Sequence, residues 1–114
     1  MNRTYSLKRH KEFHFTYRAG KKASCKPFTL VYAKNRKDRV LVGFSVSKKI
    51  GNSVKRNRCK RRLRACLSPL LPRIKPGYNL IFIARDASLT EPFAALQTDM
   101  QRLLLRAELM RDGE

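Results

Sequence analysis

Acidic side chains are scarce in this chain. Eight Asp and Glu stand against 27 Lys and Arg in 114 residues, a formal charge of +19 at pH 7 with a pI near 10.9. The acids are also scattered: Glu12, Asp38, Asp86, Glu91, Asp99, Glu108, Asp112 and Glu114 form no paired-carboxylate motif of the kind a two-metal nuclease needs. No apolar run approaches the roughly 18 residues of a membrane-crossing helix, and Met-Asn-Arg-Thr-Tyr-Ser at the start lacks the apolar stretch of a secretory signal. A cytoplasmic protein is expected. Its three cysteines form no CxxC pair, and Cys59 and Cys66 are separated by about 10 Å along one helix, too far to bridge. All three are read as reduced and structural. His10 and His14 sit one helical turn apart, but no third ligand is matched to them, so no metal site is assigned. A phosphate-cradling GxxxxGK[ST] loop and a nucleophile elbow are missing as well. No catalytic residue is assigned; if the chain serves an enzyme, the reacting groups lie elsewhere.

What is abundant is positive charge, and it is unevenly placed. Residues 1–77 carry 23 basic and 2 acidic side chains, whereas residues 78–114 carry 4 and 6. Seven basic residues crowd the ten positions from Lys55 to Arg64, within Ser-Val-Lys-Arg-Asn-Arg-Cys-Lys-Arg-Arg-Leu-Arg-Ala-Cys. An ordinary helix mixes both signs on its solvent face, so one sign alone is self-repulsive unless a polyanion lies against it. Lys55, Arg56 and Arg58 also fall in the first turns, where the helix dipole disfavours cations. Stability does not choose this pattern. RNA or DNA does, and Lys48-Lys49 just upstream extends the same surface.

The length suits a single RNA-binding domain over 1–114, and 42% hydrophobic residues suffice for a modest core. Residues 6–18 read as a short helix capped by Ser6 and stopped before Gly20. On it Phe13 and Tyr17 are neighbours one turn apart, while Phe15 falls on the side of Leu7 and Lys11 and is expected to supply an inward face. Extended segments are predicted at about Lys26–Lys34 and Arg39–Val46, joined by Asn35-Arg36-Lys37-Asp38 into a hairpin, with Lys21–Cys25 as a weak edge strand. Asn52 or Ser53 caps the basic helix, which runs to about Leu67, before Pro69 and Pro72 stop it. Cys59, Leu63, Cys66, Leu67 and Leu70 form its apolar stripe. Tyr78–Ala84 is nearly continuous in apolar residues and reads as a central strand covered on both faces. Glu91-Pro92 opens a last helix with Phe93, Leu96, Met100, Leu103, Leu104 and Ala107 at three-to-four spacing. The class is α+β, in the order αββ(β)αβα.

From Phe44 to Arg64 the residues Phe-Ser-Val-Ser-Lys-Lys-Ile-Gly-Asn-Ser-Val-Lys-Arg-Asn-Arg-Cys-Lys-Arg-Arg-Leu-Arg resemble the signature of the protein subunit of bacterial ribonuclease P. Leu7-Lys-Arg with Glu12-Phe13 resembles the first helix of that family, Gly20 its turn and Ile81-Phe-Ile-Ala-Arg85 its final strand. The resemblance implies an α/β sandwich with a left-handed βαβ crossover, against the usual hand, and a fold shared with one domain of a ribosomal protein. It implies that the protein assists removal of the 5′ leader of precursor tRNA, while the catalytic centre is RNA with bound magnesium. No cofactor held by protein side chains alone, no membrane and no obligate protein partner is implied. Carried over by position, Lys48, Lys49, Asn52, Lys55, Arg56, Asn57, Arg58, Lys60, Arg61, Arg62 and Arg64 would contact ribonuclease P RNA and the substrate near the cleavage site. Phe13, Tyr17 and Arg85 would line the leader cleft, between the first helix and the sheet. The chain departs from some members that carry a strand tyrosine where Val31 stands; here the tyrosine is Tyr32, on the opposite side of a regular strand. Cys59 replaces an isoleucine found in many members.

Two other readings carry distinct signatures. A ribosomal or nucleoid packaging protein would bind most duplexes alike, with log K falling by about 0.9 per phosphate neutralised for each unit of log salt. A self-sufficient nuclease would cut precursor tRNA with no RNA subunit.

Overall fold

Periodicity and length place one strand at the centre, and the architecture is built around it. In the computed structural model, which describes residues 10–111, the elements are α1 (His10–Ala19), β1 (Lys21–Ser24), β2 (Phe28–Lys34), β3 (Leu41–Ser45), α2 (Ser53–Leu67), β4 (Tyr78–Ala84), α3 (Ala87–Thr90) and α4 (Phe93–Arg106). Short 3-10 segments occupy Lys48–Ile50 and Ser68–Arg73. Ser6 and Leu7 lie outside the described residues.

The four strands form one sheet in the order β1-β2-β4-β3. β2 runs antiparallel to both of its neighbours, β1 and β4, and β3 runs parallel to β4, joined to it through α2. The weak edge strand is therefore present, but the hairpin expected between Lys26–Lys34 and Arg39–Val46 is not. β4 lies between those two segments. A strand apolar on both faces needs cover on both, which an interior position under α1 on one side and α2 and α4 on the other supplies, and β4 takes that position between β2 and β3. The connection after Lys34 then crosses two strand spacings, about 10 Å. Asn35 holds it: its Nδ2 donates to Asn79 Oδ1 at 2.9 Å, and its Oδ1 accepts from the Lys37 amide at 2.9 Å.

Alternation along the strands gives the sheet two faces. Phe28, Leu30, Val42, Leu80 and Phe82 turn toward α2 and α4, where they meet Cys59, Leu63, Cys66, Leu67, Leu96, Met100, Leu103 and Leu104. Phe82 sits edge-on to Phe28 (5.4 Å, 75°) and parallel to Phe44 (5.7 Å, 22°). The apolar stripe expected on α2 is fully covered, whereas Phe93 on α4 remains 43% exposed. The last turn of α4 closes through Leu109 N to Leu104 O and Glu108 N to Leu105 O, with Glu108 at φ 60 in the left-handed position usually given to glycine.

Val31, Leu41 and Ile81 turn the other way and form a smaller cluster under α1, with Phe13 and Ile83 against it. Phe15 is not the inward residue: it is 55% exposed, and Thr16, fully buried, faces the sheet instead. A polar contact fixes this docking, because Asn79 Nδ2 donates to Thr16 Oγ1 at 3.1 Å across the interface. A leucine or phenylalanine at Asn79 would remove this donor to Thr16 and the acceptor that Asn35 Nδ2 uses. At the end of α1, Gly20 is needed for space rather than for φ. A Cβ there would stand 2.4 Å from Thr16 O, 2.8 Å from Tyr32 O and 2.9 Å from Val31 Cγ1. Two of those atoms are backbone and cannot swing aside, so Gly20→Ala should cost about 1–3 kcal/mol in urea unfolding and loosen α1 on the sheet.

Candidate nucleic-acid interface

β3 and β4 are parallel, so the end of β3, the turn Lys48–Ile50 and the start of α2 all lie at the Ala84 end of the sheet. Gly51, at φ 147, turns the chain into the helix. Asn52 caps it, its Oδ1 accepting from the Lys55 amide at 3.0 Å, and no acidic residue occupies the first turn. Capping thus falls to a neutral side chain, and the positive end of the helix dipole is left uncompensated by any carboxylate on the first turn.

Rotation of about 100° per residue sorts the basic side chains. Cys59, Leu63, Cys66 and Leu67 define the buried side. Away from them, Asn57, Arg58, Arg61 and Arg64 are exposed; Lys55, one turn before Cys59 on the same side, is exposed at the start of the helix, as are Lys48, Lys49 and Asn52 before it. Arg64 is steadied by its guanidinium lying 5.7 Å from the centre of the half-buried Phe44 ring. Arg56, Lys60 and Arg62 are half-buried. Arg62 differs from the rest: its Nε donates to Ser88 O at 3.0 Å and its Nη2 to Glu91 O, tying α2 to the segment that carries α3 into α4. This structural use of one arginine is invisible in a run of like charges. Beside it, Cys59 Sγ lies 2.9 Å from Ser88 Oγ. All three cysteines are free, and burial pushes the Cys66 thiol up to about 11, which keeps it protonated at neutral pH.

The second surface is the cleft between α1 and the sheet. Phe13 is half-buried on the Val31, Leu41 and Ile81 cluster, and Tyr17, 38% exposed, lies parallel to it with ring centres 6.4 Å apart at 26°. Register places Thr29, Ile83 and Ser45 in one row across the same face, beyond the Val31, Ile81 and Gly43 row. Ser24 Oγ meets Thr29 Oγ1 at 3.1 Å, extending this polar shelf to the edge strand. The hydroxyls went unnoticed in the sequence, and only the strand pairing brings them together. Tyr32 does not join the cleft: it packs on the α2 and α4 side, while Val31 lies under α1. Arg85 is exposed just past the end of β4; its amide donates to Pro27 O at 2.9 Å and its Nη1 to Cys25 O at 3.4 Å. The side chain of His10 lies outside the described set, and among the described residues no three His, Cys, Asp or Glu side chains are grouped to hold a metal ion. No described helix is long and apolar enough to cross a membrane.

Comparison with known proteins gives the same assignment from both sequence and fold. The profile of the family described as Ribonuclease P matches residues 1–108. The Ribonuclease P protein component of Chloroflexus aggregans is 37% identical over 100% of this chain and 85% of its own length. That of Clostridioides difficile is 36% identical over 95% of this chain and 96% of its own. The solved RNase P protein of Staphylococcus aureus superposes with a TM-score of 0.84 at 28% identity, covering 94% of this chain and 98% of that one. The Thermotoga maritima RNase P protein shares the fold, with a TM-score of 0.80 at 24% identity over 89% and 96%. The chain belongs to the ribonuclease P protein family.

Proposed function

We propose that this chain, as the protein component of a ribonuclease P, binds the catalytic RNA through the exposed ridge of α2 and holds the 5′ leader of precursor tRNA in the cleft under α1. The observation that carries this reading is the shared end of the sheet. The capped start of α2, Lys48, Lys49, the row Thr29, Ile83 and Ser45, and Arg85 all lie at the Ala84 end. An RNA strand leaving a duplex against α2 therefore enters the cleft without crossing the protein. Cations there neutralise phosphates, and Tyr17 beside Phe13 offers a ring face to an unpaired base, a contact tolerant of sequence. The chemistry of cleavage is left to the RNA, with magnesium bound through it, in the cytoplasm.

The test is cleavage of precursor tRNA at low magnesium by a bacterial ribonuclease P RNA, with and without the protein. Stimulated cutting at the mature 5′ end is expected, with none from protein alone. Site-specific cutting by the protein alone would make it a nuclease in its own right. Absence of stimulation by folded, RNA-binding protein would leave the packaging reading.

A further inference from the structure

The sheet has a second end, and a basic aromatic groove is built there that the surfaces described above do not use. Its volume is about 540 Å³; Phe15, Tyr32 and Tyr78 give it ring faces, and Lys21, Lys34, Lys75 and Arg106 surround them. Glu108 is the one acid lining it among the described residues. Tyr32 and Tyr78 are partly buried against the main core, so they form a floor, while Phe15 projects from α1 with 55% of its surface exposed. A second hollow on the other side of Phe15 is walled by Lys11 and Arg36. Arg106 is oriented by donating from Nη2 to Ser24 O at 2.8 Å.

An exposed phenyl ring set among cations is poorly explained by packing, because the ring buries little and the cations repel one another. It matches an unpaired nucleotide, whose base stacks on the ring while its flanking phosphates meet the lysines. Lys34 pairs with Tyr78 and Tyr32 with Leu80, so the floor of the groove lies about 13–20 Å along β4 from Ala84. Phe15 also projects from a different side of α1 than Phe13 and Tyr17. A leader seated on Tyr17 would have to turn around the helix to reach it. The geometry points to an unpaired segment of the ribonuclease P RNA itself, seated on Phe15 on a different side of α1 from the leader. This rests on the reading that the chain binds that RNA.

The test is equilibrium binding of ribonuclease P RNA, without tRNA, to full-length variants. Phe15→Ala should weaken binding about tenfold and Phe15→Trp should retain it, since stacking follows the ring. Lys34→Ala with Lys75→Ala should flatten the slope of log K against log salt by about 1.4, the contribution of two single-strand phosphates. Phe93→Ala, which removes another exposed ring, on α4, should change nothing. p-Benzoylphenylalanine at position 15 should cross-link to unpaired nucleotides of the RNA. Unchanged affinity of Phe15→Ala overturns the proposal, as does a loss that tryptophan fails to restore. A loss or cross-link seen only with precursor tRNA would assign the groove to the leader instead. If the wild-type chain itself failed to bind the RNA, the underlying reading would fall, whereas intact wild-type binding with an inert Phe15 removes this proposal alone.

Discussion

Alanine at both Arg58 and Arg61 should lower affinity for ribonuclease P RNA about ten- to a hundredfold at near-physiological salt and flatten its salt dependence by about 1.5 to 2. Both side chains are exposed on the side of α2 opposite Cys59, Leu63 and Cys66, so neither contributes to the core. Their removal relieves repulsion in the free protein, and the fold should be unchanged or slightly more stable. Cleavage at low magnesium should fall in parallel, as less holoenzyme assembles. Arg62→Ala provides the contrast. Its loss strips the carbonyls of Ser88 and Glu91 of their donor, so about 2 kcal/mol of stability should go while the salt slope hardly moves. If Arg62→Ala flattened the slope as much as Arg58→Ala, its guanidinium would serve RNA rather than the α2 to α4 joint. Filter binding over a salt series, paired with urea unfolding of the same variants, separates the two effects.

That contrast marks where the sequence stops being informative. Most of the basic helix was legible: its cap at Asn52 or Ser53, which the structure gives to Asn52, its stripe of Cys59, Leu63, Cys66 and Leu67, and its end near Leu67 follow from local rules that need no partner segment. So was β4, because a run apolar on both faces has one place to go. The pairing of the strands was not. Asn35-Arg36-Lys37-Asp38 has the length and polarity of a hairpin loop, and nothing local reveals that β4, more than 40 residues later, takes the position between β2 and β3. The error on Phe15 has a similar cause. Aromatic spacing on α1 divides the rings into two sides, but which side faces the sheet is decided by the Asn79 to Thr16 hydrogen bond, a contact across 63 positions of sequence. Arg62 was hidden among its neighbours because charge says nothing about which cation meets a carbonyl.

The cleft carries the second large effect. Tyr17→Ala should lower affinity for precursor tRNA about tenfold while leaving mature tRNA nearly unchanged, since only the precursor has a leader to stack. Tyr17 is the cleaner probe because 38% of it is exposed, whereas Phe13 is half-buried on Val31, Leu41 and Ile81. Phe13→Ala therefore mixes a packing loss of about 2–3 kcal/mol with any loss of stacking. The double variant Phe13→Ala with Tyr17→Ala should lower the ratio of precursor to mature affinity further, about fifty-fold, provided the folded fraction is measured and corrected. Phe13→Leu resolves the mixture: it refills the cluster but presents no ring, so it should restore stability without restoring the ratio. Equal loss on precursor and mature tRNA in Tyr17→Ala would mean that α1 is a packing element alone, and the leader would have to lie elsewhere on the protein.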